Sequence, residues 1–209
     1  LDAEGADTDG IGELADAIEV CVWYDEDCDN VYEPTGTGQQ NELEVALVSD
    51  TSGSITTSEL AQLKTAGKDF VDNLSIPDEA AAISFASSAS LDQELTTNYQ
   101  AVKDAIDTYN DSGSTNMSAG ISTAETELLT GTNATAGASK VMILLSDGSP
   151  NSASAATAAA NSAKGQGIRV FTIALGSGAD EAFLESIATS PDDAFVAPDG
   201  ADLDTVYAE

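Results

Sequence analysis

The run Val141-Met142-Ile143-Leu144-Leu145 is apolar at every position and stops abruptly at Ser146-Asp147-Gly148. A strand that is apolar on both faces must be covered on both faces, which a sheet achieves when helices pack on either side of it. The neighbouring segments fit that demand. Leu43 to Val48 is a second apolar strand, running into Asp50, and Ala80 to Phe85 and Ile168 to Leu175 are two more. Weaker strands are read at Gln93 to Thr97 and Phe195 to Ala197.

Helical periodicity fills the intervals. Leu60, Leu63, Ala66, Phe70 and Leu74 recur at helical spacing within Thr56 to Leu74, with Thr57 or Ser58 as the N-cap. Further helices are read at Tyr99 to Tyr109, Met117 to Leu129, Ser154 to Lys164 and Glu181 to Ile187, and another begins at Leu203 to Tyr207. Strands alternating with helices give an α/β fold of the Rossmann-like, doubly wound type, with a mostly parallel sheet flanked by helices. In such sheets ligands bind beyond the carboxyl ends of the strands, where the strand order reverses. Chemistry is therefore sought just after the strands.

Short oxygen-bearing residues collect there. Asp50-Thr51-Ser52-Gly53-Ser54 follows the first strand, Thr115 lies in Gly113-Ser114-Thr115-Asn116, and Asp147-Gly148 follows the strand at Val141 to Leu145. A hard divalent cation takes oxygen ligands on a rigid backbone, and Asp50, Ser52 and Ser54 alternate within one tight loop so that their side chains can converge. Gly53 and Gly148 are expected to allow sharp turns. Singly, each residue has a plainer reading: serine and glycine make turns, and an aspartate after a strand caps the next helix. Asn116 and Ser149 would line the rim.

Taken together, Asp50-Thr-Ser-Gly-Ser54, the threonine of Gly113-Ser-Thr-Asn116 and Leu144-Leu-Ser-Asp-Gly148 resemble the three motifs of von Willebrand factor A domains, in order and over residues 42–209. The resemblance implies a metal-ion-dependent adhesion site. Ser52, Ser54 and Thr115 would coordinate through hydroxyls, and Asp50 and Asp147 directly or through water. One position would stay open for the Asp or Glu of a protein partner. Mg²⁺ suits such a site, and Mn²⁺ or Ca²⁺ is also admitted.

Residues 1–40 read as an acidic extension and 41–209 as the A-type domain. Residues 17–24 are β-rich and apolar on both faces. Cys21 and Cys28 straddle an acidic turn and are read as a disulfide, with a pair of buried thiols as the alternative. Asp25, Asp27, Asp29 and Glu33 place carboxylates as a Ca²⁺ loop does, but Asn30 stands where an EF-hand has glycine and Gly36 where it has glutamate. A looser Ca²⁺ turn competes there with a solvated acidic one. The stretch around Val22 to Glu33 is similar to a segment of secreted haloarchaeal proteins of the camelysin/TasA-like type.

The chain carries 37 acidic residues against six basic ones and no histidine, for a net charge of −31. Self-repulsion on that scale destabilises a compact state unless salt screens it, and molar salt shortens the Debye length to about 3 Å. The composition is therefore read as adaptation to high salt, with an acidic protein of an ordinary habitat as the alternative; the resemblance around Val22 to Glu33 implies a halophilic archaeal surface protein. Nucleic acid is excluded as a partner, because phosphate binding needs Lys and Arg. No apolar run approaches the ~20 residues of a membrane helix. The start at Leu1 reads as a processed or excised piece of an extracellular protein. Without histidine no Ser-His-Asp triad exists, and neither a nucleophile elbow nor a P-loop occurs. The chain is expected to be no enzyme. A metal-dependent adhesion module at the cell surface is the leading function, and a subunit of a surface filament or surface layer, built by pairing the strand at residues 17–24, is the alternative. Among the glycosylation triplets, Asn133-Ala-Thr135, in a Gly/Thr loop, is read as the acceptor.

Overall fold

The structure, a computed structural model, describes residues 42–176 and 178–197. The strand read at residues 17–24, Cys21 and Cys28, the acidic turn of Asp25, Asp27, Asp29 and Glu33, and the helix read from Leu203 lie outside the described residues.

Among the described residues six strands form one sheet in the order β3-β2-β1-β4-β5-β6. They are β1 (Leu43–Asp50), β2 (Glu79–Phe85), β3 (Ala89–Thr96), β4 (Ser139–Ser146), β5 (Arg169–Leu175) and β6 (Ala194–Ala197). All neighbours run parallel except β2 and β3, which are antiparallel. The central strand β1 is buried along its whole length. Side chains alternate across a strand, so its successive residues feed two separate cores.

On one face Leu43, Val45 and Leu47 meet Leu60, Leu63 and Phe70 of α1 (Thr57–Asn73) and Val102 and Ile106 of α2 (Tyr99–Asp107). On the other, Ala46 and Val48 meet three helices: Met117, Ile121 and Leu128 of α3 (Met117–Thr130), Ala156, Ala160 and Ala163 of α4 (Ala153–Gly165), and Leu184 and Ile187 of α5 (Glu181–Ile187). This is the α/β architecture expected, with a mostly parallel sheet between helical layers. Among the described residues no helix is long and apolar enough to cross a membrane.

Three details differ from expectation. The cap of α1 is Thr56, not Thr57 or Ser58. Its hydroxyl accepts the Glu59 N–H while the Glu59 carboxylate accepts the Thr56 N–H. The glutamate three residues on selects the cap among adjacent hydroxyl residues. Strand β3 begins at Ala89 rather than Gln93, because an edge strand faces solvent and carries little apolar alternation to read. Arg169, the first residue of β5, is tied down through its guanidinium. It pairs with the fully buried Asp193 at 2.8 Å and stacks 4.8 Å from the Phe171 ring. Asn133 uses its side-chain amide inside the fold, donating to the Leu95 carbonyl, so it straps the loop after α3 to β3.

Candidate metal centre

Strand β1 leads to α1 on one face of the sheet, and adjacent β4 leads to α4 on the other. The two chains diverge at their carboxyl ends and leave a crevice, the switch point where ligands of such sheets bind. Asp50 ends β1, and Asp147 follows Ser146 at the end of β4.

The loop after Asp50 is held from several sides. The Ser52 N–H donates to Asp50 Oδ1 at 2.9 Å. Thr51 donates its N–H and its hydroxyl to the Phe85 carbonyl of β2. Ile55 is buried and anchors the exit into α1, with its N–H on the Ser52 carbonyl. Gly53 does not need unusual torsions, and neither does Gly148; positive φ is confined, among the described glycines, to Gly113, Gly137, Gly167 and Gly176. What Gly53 provides is room. A β-carbon there would lie 3.3 Å from the Gly113 carbonyl oxygen, which accepts the Gly53 N–H at 3.1 Å.

Side-chain oxygens then line up across the crevice. Ser52 Oγ lies 3.0 Å from Ser54 Oγ, and the Ser54 hydroxyl donates to Asp147 Oδ1 at 3.0 Å. Asp50 sits behind them with no exposure, and its Oδ2 accepts the Ser146 hydroxyl at 2.5 Å. Burial pushes the Asp50 carboxyl above its ordinary value, against the lowering pull of the Ser146 and Ser52 hydrogen bonds. Burial also raises Asp147, with the Ser54 hydrogen bond opposing and the charges of Asp50 and Glu59 adding to the rise. Burial thus disfavours the charged form of both carboxylates, a cost that a bound cation would offset.

Thr115 arrives by its backbone. Besides the Gly53–Gly113 bond, the Ser112 N–H donates to the Thr51 carbonyl, so the second loop is zipped to the first. Among the described residues the Thr115 hydroxyl makes no hydrogen bond to the other four. Asn116 and Ser149 do not extend the oxygen chain. Asn116 stands at the start of α3 and donates to the Ser87 carbonyl, and Ser149 donates to Asp180.

Donor chemistry fits a hard cation. Among the described residues no three His, Cys, Asp or Glu side chains converge, so a transition-metal cage of that kind is not what this crevice offers. It offers hydroxyls and two carboxylates. Adjacent ligands of an octahedral Mg²⁺ at about 2.1 Å stand about 3.0 Å apart. The Ser52–Ser54 and Ser54–Asp147 separations match that octahedral edge.

Sequence reading missed Ser146 and Asn151. Ser146 falls inside the third motif but has no assigned role there, although a serine closing an apolar run is a visible irregularity. Asn151 carried no signal in a Ser/Asn/Ala-rich stretch.

Comparison with known proteins agrees with this fold. The family model for the von Willebrand factor type A domain matches residues 44–209. A UPF0353 protein of Mycolicibacterium paratuberculosis is 33% identical over 151 residues, which are 65% of this chain and 45% of that protein. Proximal thread matrix protein 1 of the mussel byssus, solved with a zinc-occupied MIDAS motif, superposes with a TM-score of 0.72 at 20% identity, over 80% of this chain and 46% of that one. The von Willebrand factor domain of Mfa5, a type V pili tip protein of Porphyromonas gingivalis, gives a TM-score of 0.72 at 15% identity, over 80% and 93%. This chain thus spans less than half of the curated relative and of the byssus protein. With the family model covering most of its length and the sheet, switch point and three loops in place, the chain belongs to the von Willebrand factor type A domain family.

Proposed function

We propose that this domain is a metal-dependent binding module of a cell-surface protein, which grips an Asp or Glu of a protein partner through a divalent cation held by Asp50, Ser52, Ser54, Thr115 and Asp147. The observation that carries the reading is the ladder of oxygens at 3.0 Å from Ser52 through Ser54 to Asp147, backed by the buried Asp50.

Each residue has a distinct task. Ser52, Ser54 and Thr115 offer neutral oxygens, so only the two aspartates offset the charge of the cation and it stays attractive to an incoming carboxylate. Asp147 faces the crevice and offers one carboxylate oxygen to the ladder. Asp50 has both oxygens engaged, by Ser52 N–H and Ser146 O–H, and so fixes the loop as well as the charge. When bound, the cation supplies the positive charge that an acidic partner needs on a chain of net charge −31. Mg²⁺ suits the donor set, with Mn²⁺ or Ca²⁺ as substitutes, and the zinc-bearing relative widens the range to Zn²⁺.

Extracellular placement is supported by the names of the structural neighbours, a byssus thread protein and a pilus tip protein. Those names also favour a second reading, a structural subunit of a surface filament or layer.

The direct test is Mn²⁺ titration followed by electron paramagnetic resonance. Saturable binding is expected in the wild type, and its loss in Asp50→Ala and Asp147→Ala with circular dichroism unchanged. A wild-type chain that takes up no Mn²⁺, Mg²⁺ or Zn²⁺ defeats the proposal. For the partner, a capped peptide with a single Glu should bind the loaded protein, and its Gln counterpart should not.

A further inference from the structure

The Thr115 hydroxyl makes no hydrogen bond to the other four candidate ligands, so something else must set where it points. Asn151, in the loop that leaves β4 beyond Asp147, brackets it. The Thr115 N–H donates to Asn151 Oδ1 at 3.1 Å, and the Asn151 N–H donates to the Thr115 carbonyl at 2.9 Å. The other side of the same amide donates to Ser114 Oγ at 3.1 Å. Ser114 in turn is held by Ser87 after β2, whose hydroxyl accepts the Ser114 N–H at 3.1 Å. An amide is suited to this, since it presents an acceptor and donors in one plane.

Resting on the metal-site reading above, we infer that Asn151 is the positioning residue for Thr115. It locks the second ligand loop to the loop carrying Asp147, so that the two move as one body. Its side chain is exposed and fills no core, and its backbone bond to Thr115 survives truncation. Asn151→Ala therefore removes the Oδ1 and Nδ2 contacts with little packing loss. Losing one such bond changes an equilibrium by roughly three- to tenfold.

A double-mutant cycle on Mn²⁺ affinity tests this in the full chain. Asn151→Ala is expected to weaken Mn²⁺ binding three- to tenfold in the wild-type background, and to have no further effect in Thr115→Ala. The urea midpoint should stay close to that of wild type. Asn151→Asp, which keeps the acceptor, should hold affinity at or above the wild-type value. Additive losses in the cycle, or an Asp variant as weak as the Ala one, overturn the assignment. If Thr115→Ala weakens binding and Asn151→Ala does not, only the role of Asn151 falls. If Asp50→Ala and Thr115→Ala both leave Mn²⁺ affinity unchanged, the metal-site reading falls and this inference goes with it.

Discussion

The Ser146 hydroxyl donates to the carboxylate of Asp50 at 2.5 Å, between two fully buried side chains on neighbouring parallel strands. The register pairs Ser49 with Leu145, which puts Asp50 beside Ser146. Ser146 also accepts the Gly148 N–H at 3.3 Å, so a single hydroxyl ties the carboxylate of the first loop to the backbone of the third.

Ser146→Ala is therefore expected to leave Asp50 Oδ2 buried without that donor, at a cost of about 1–3 kcal/mol. Urea unfolding of the metal-free protein measures it. An unchanged midpoint would mean that water or another donor replaces the hydroxyl.

Metal should stabilise the fold by mass action. At free Mn²⁺ near 100 times Kd the gain is about 2.7 kcal/mol. It should vanish in Asp147→Ala and be reversed by a chelator. Thermal unfolding with and without Mn²⁺ reads it directly, and an equal shift in the Asp147→Ala protein would place the ion elsewhere.

Acidification should act in opposite directions on the two forms. Burial raises Asp50, Asp78, Glu79 and Asp147 above ordinary carboxylate values. A raised folded-state value means that protonation favours the fold. The stability is present at low pH and is lost as pH rises through the raised values. As pH falls from neutrality toward the ordinary carboxylate range at about pH 4, the metal-free midpoint should therefore rise, while the stabilisation due to Mn²⁺ shrinks because the cation competes with protons. Parallel pH profiles with and without Mn²⁺ would contradict the proposed ligands.

Helix α3 sits against the sheet through Gly120. A β-carbon there would stand 2.7 Å from Phe85 Cδ1 and 3.1 Å from Val48 Cγ1. Gly120→Ala must displace the buried Phe85 ring or the helix itself and should cost about 1–3 kcal/mol. Because Thr115 lies two residues before the first residue of α3, Mn²⁺ affinity should drop as well. Retained affinity together with lost stability would show that the loop is insulated from the helix.

The net charge of −31 carries the high-salt proposal. Raising NaCl from about 0.1 M to about 1 M shortens the Debye length from about 10 Å to about 3 Å. The urea midpoint should increase steeply over that range. A flat response would leave the acidic composition without a stabilising role for salt.

Much of the fold was legible because its signals are local. Val141 to Leu145 declares a two-sided strand by composition alone, and the apolar positions of Thr57–Asn73 declare a helix by period. Asp50, Ser52 and Ser54 are candidates legible for the same reason, since they alternate within five residues, and Asp147 is legible as the residue just after an apolar strand. Strand β3 was read short because an edge strand facing solvent keeps almost no apolar alternation.

What the chain order alone determined is thus the set of elements and the oxygen donors at their ends. The tertiary structure decided which donors meet. Ser146 lies 96 residues from Asp50, and Asn151 lies 36 from Thr115. Neither pairing has a local signature, because each depends on strand register and on loops leaving the sheet on opposite faces. A slip of one residue between β1 and β4 would turn Ser146 to the other face and leave Asp50 buried without it.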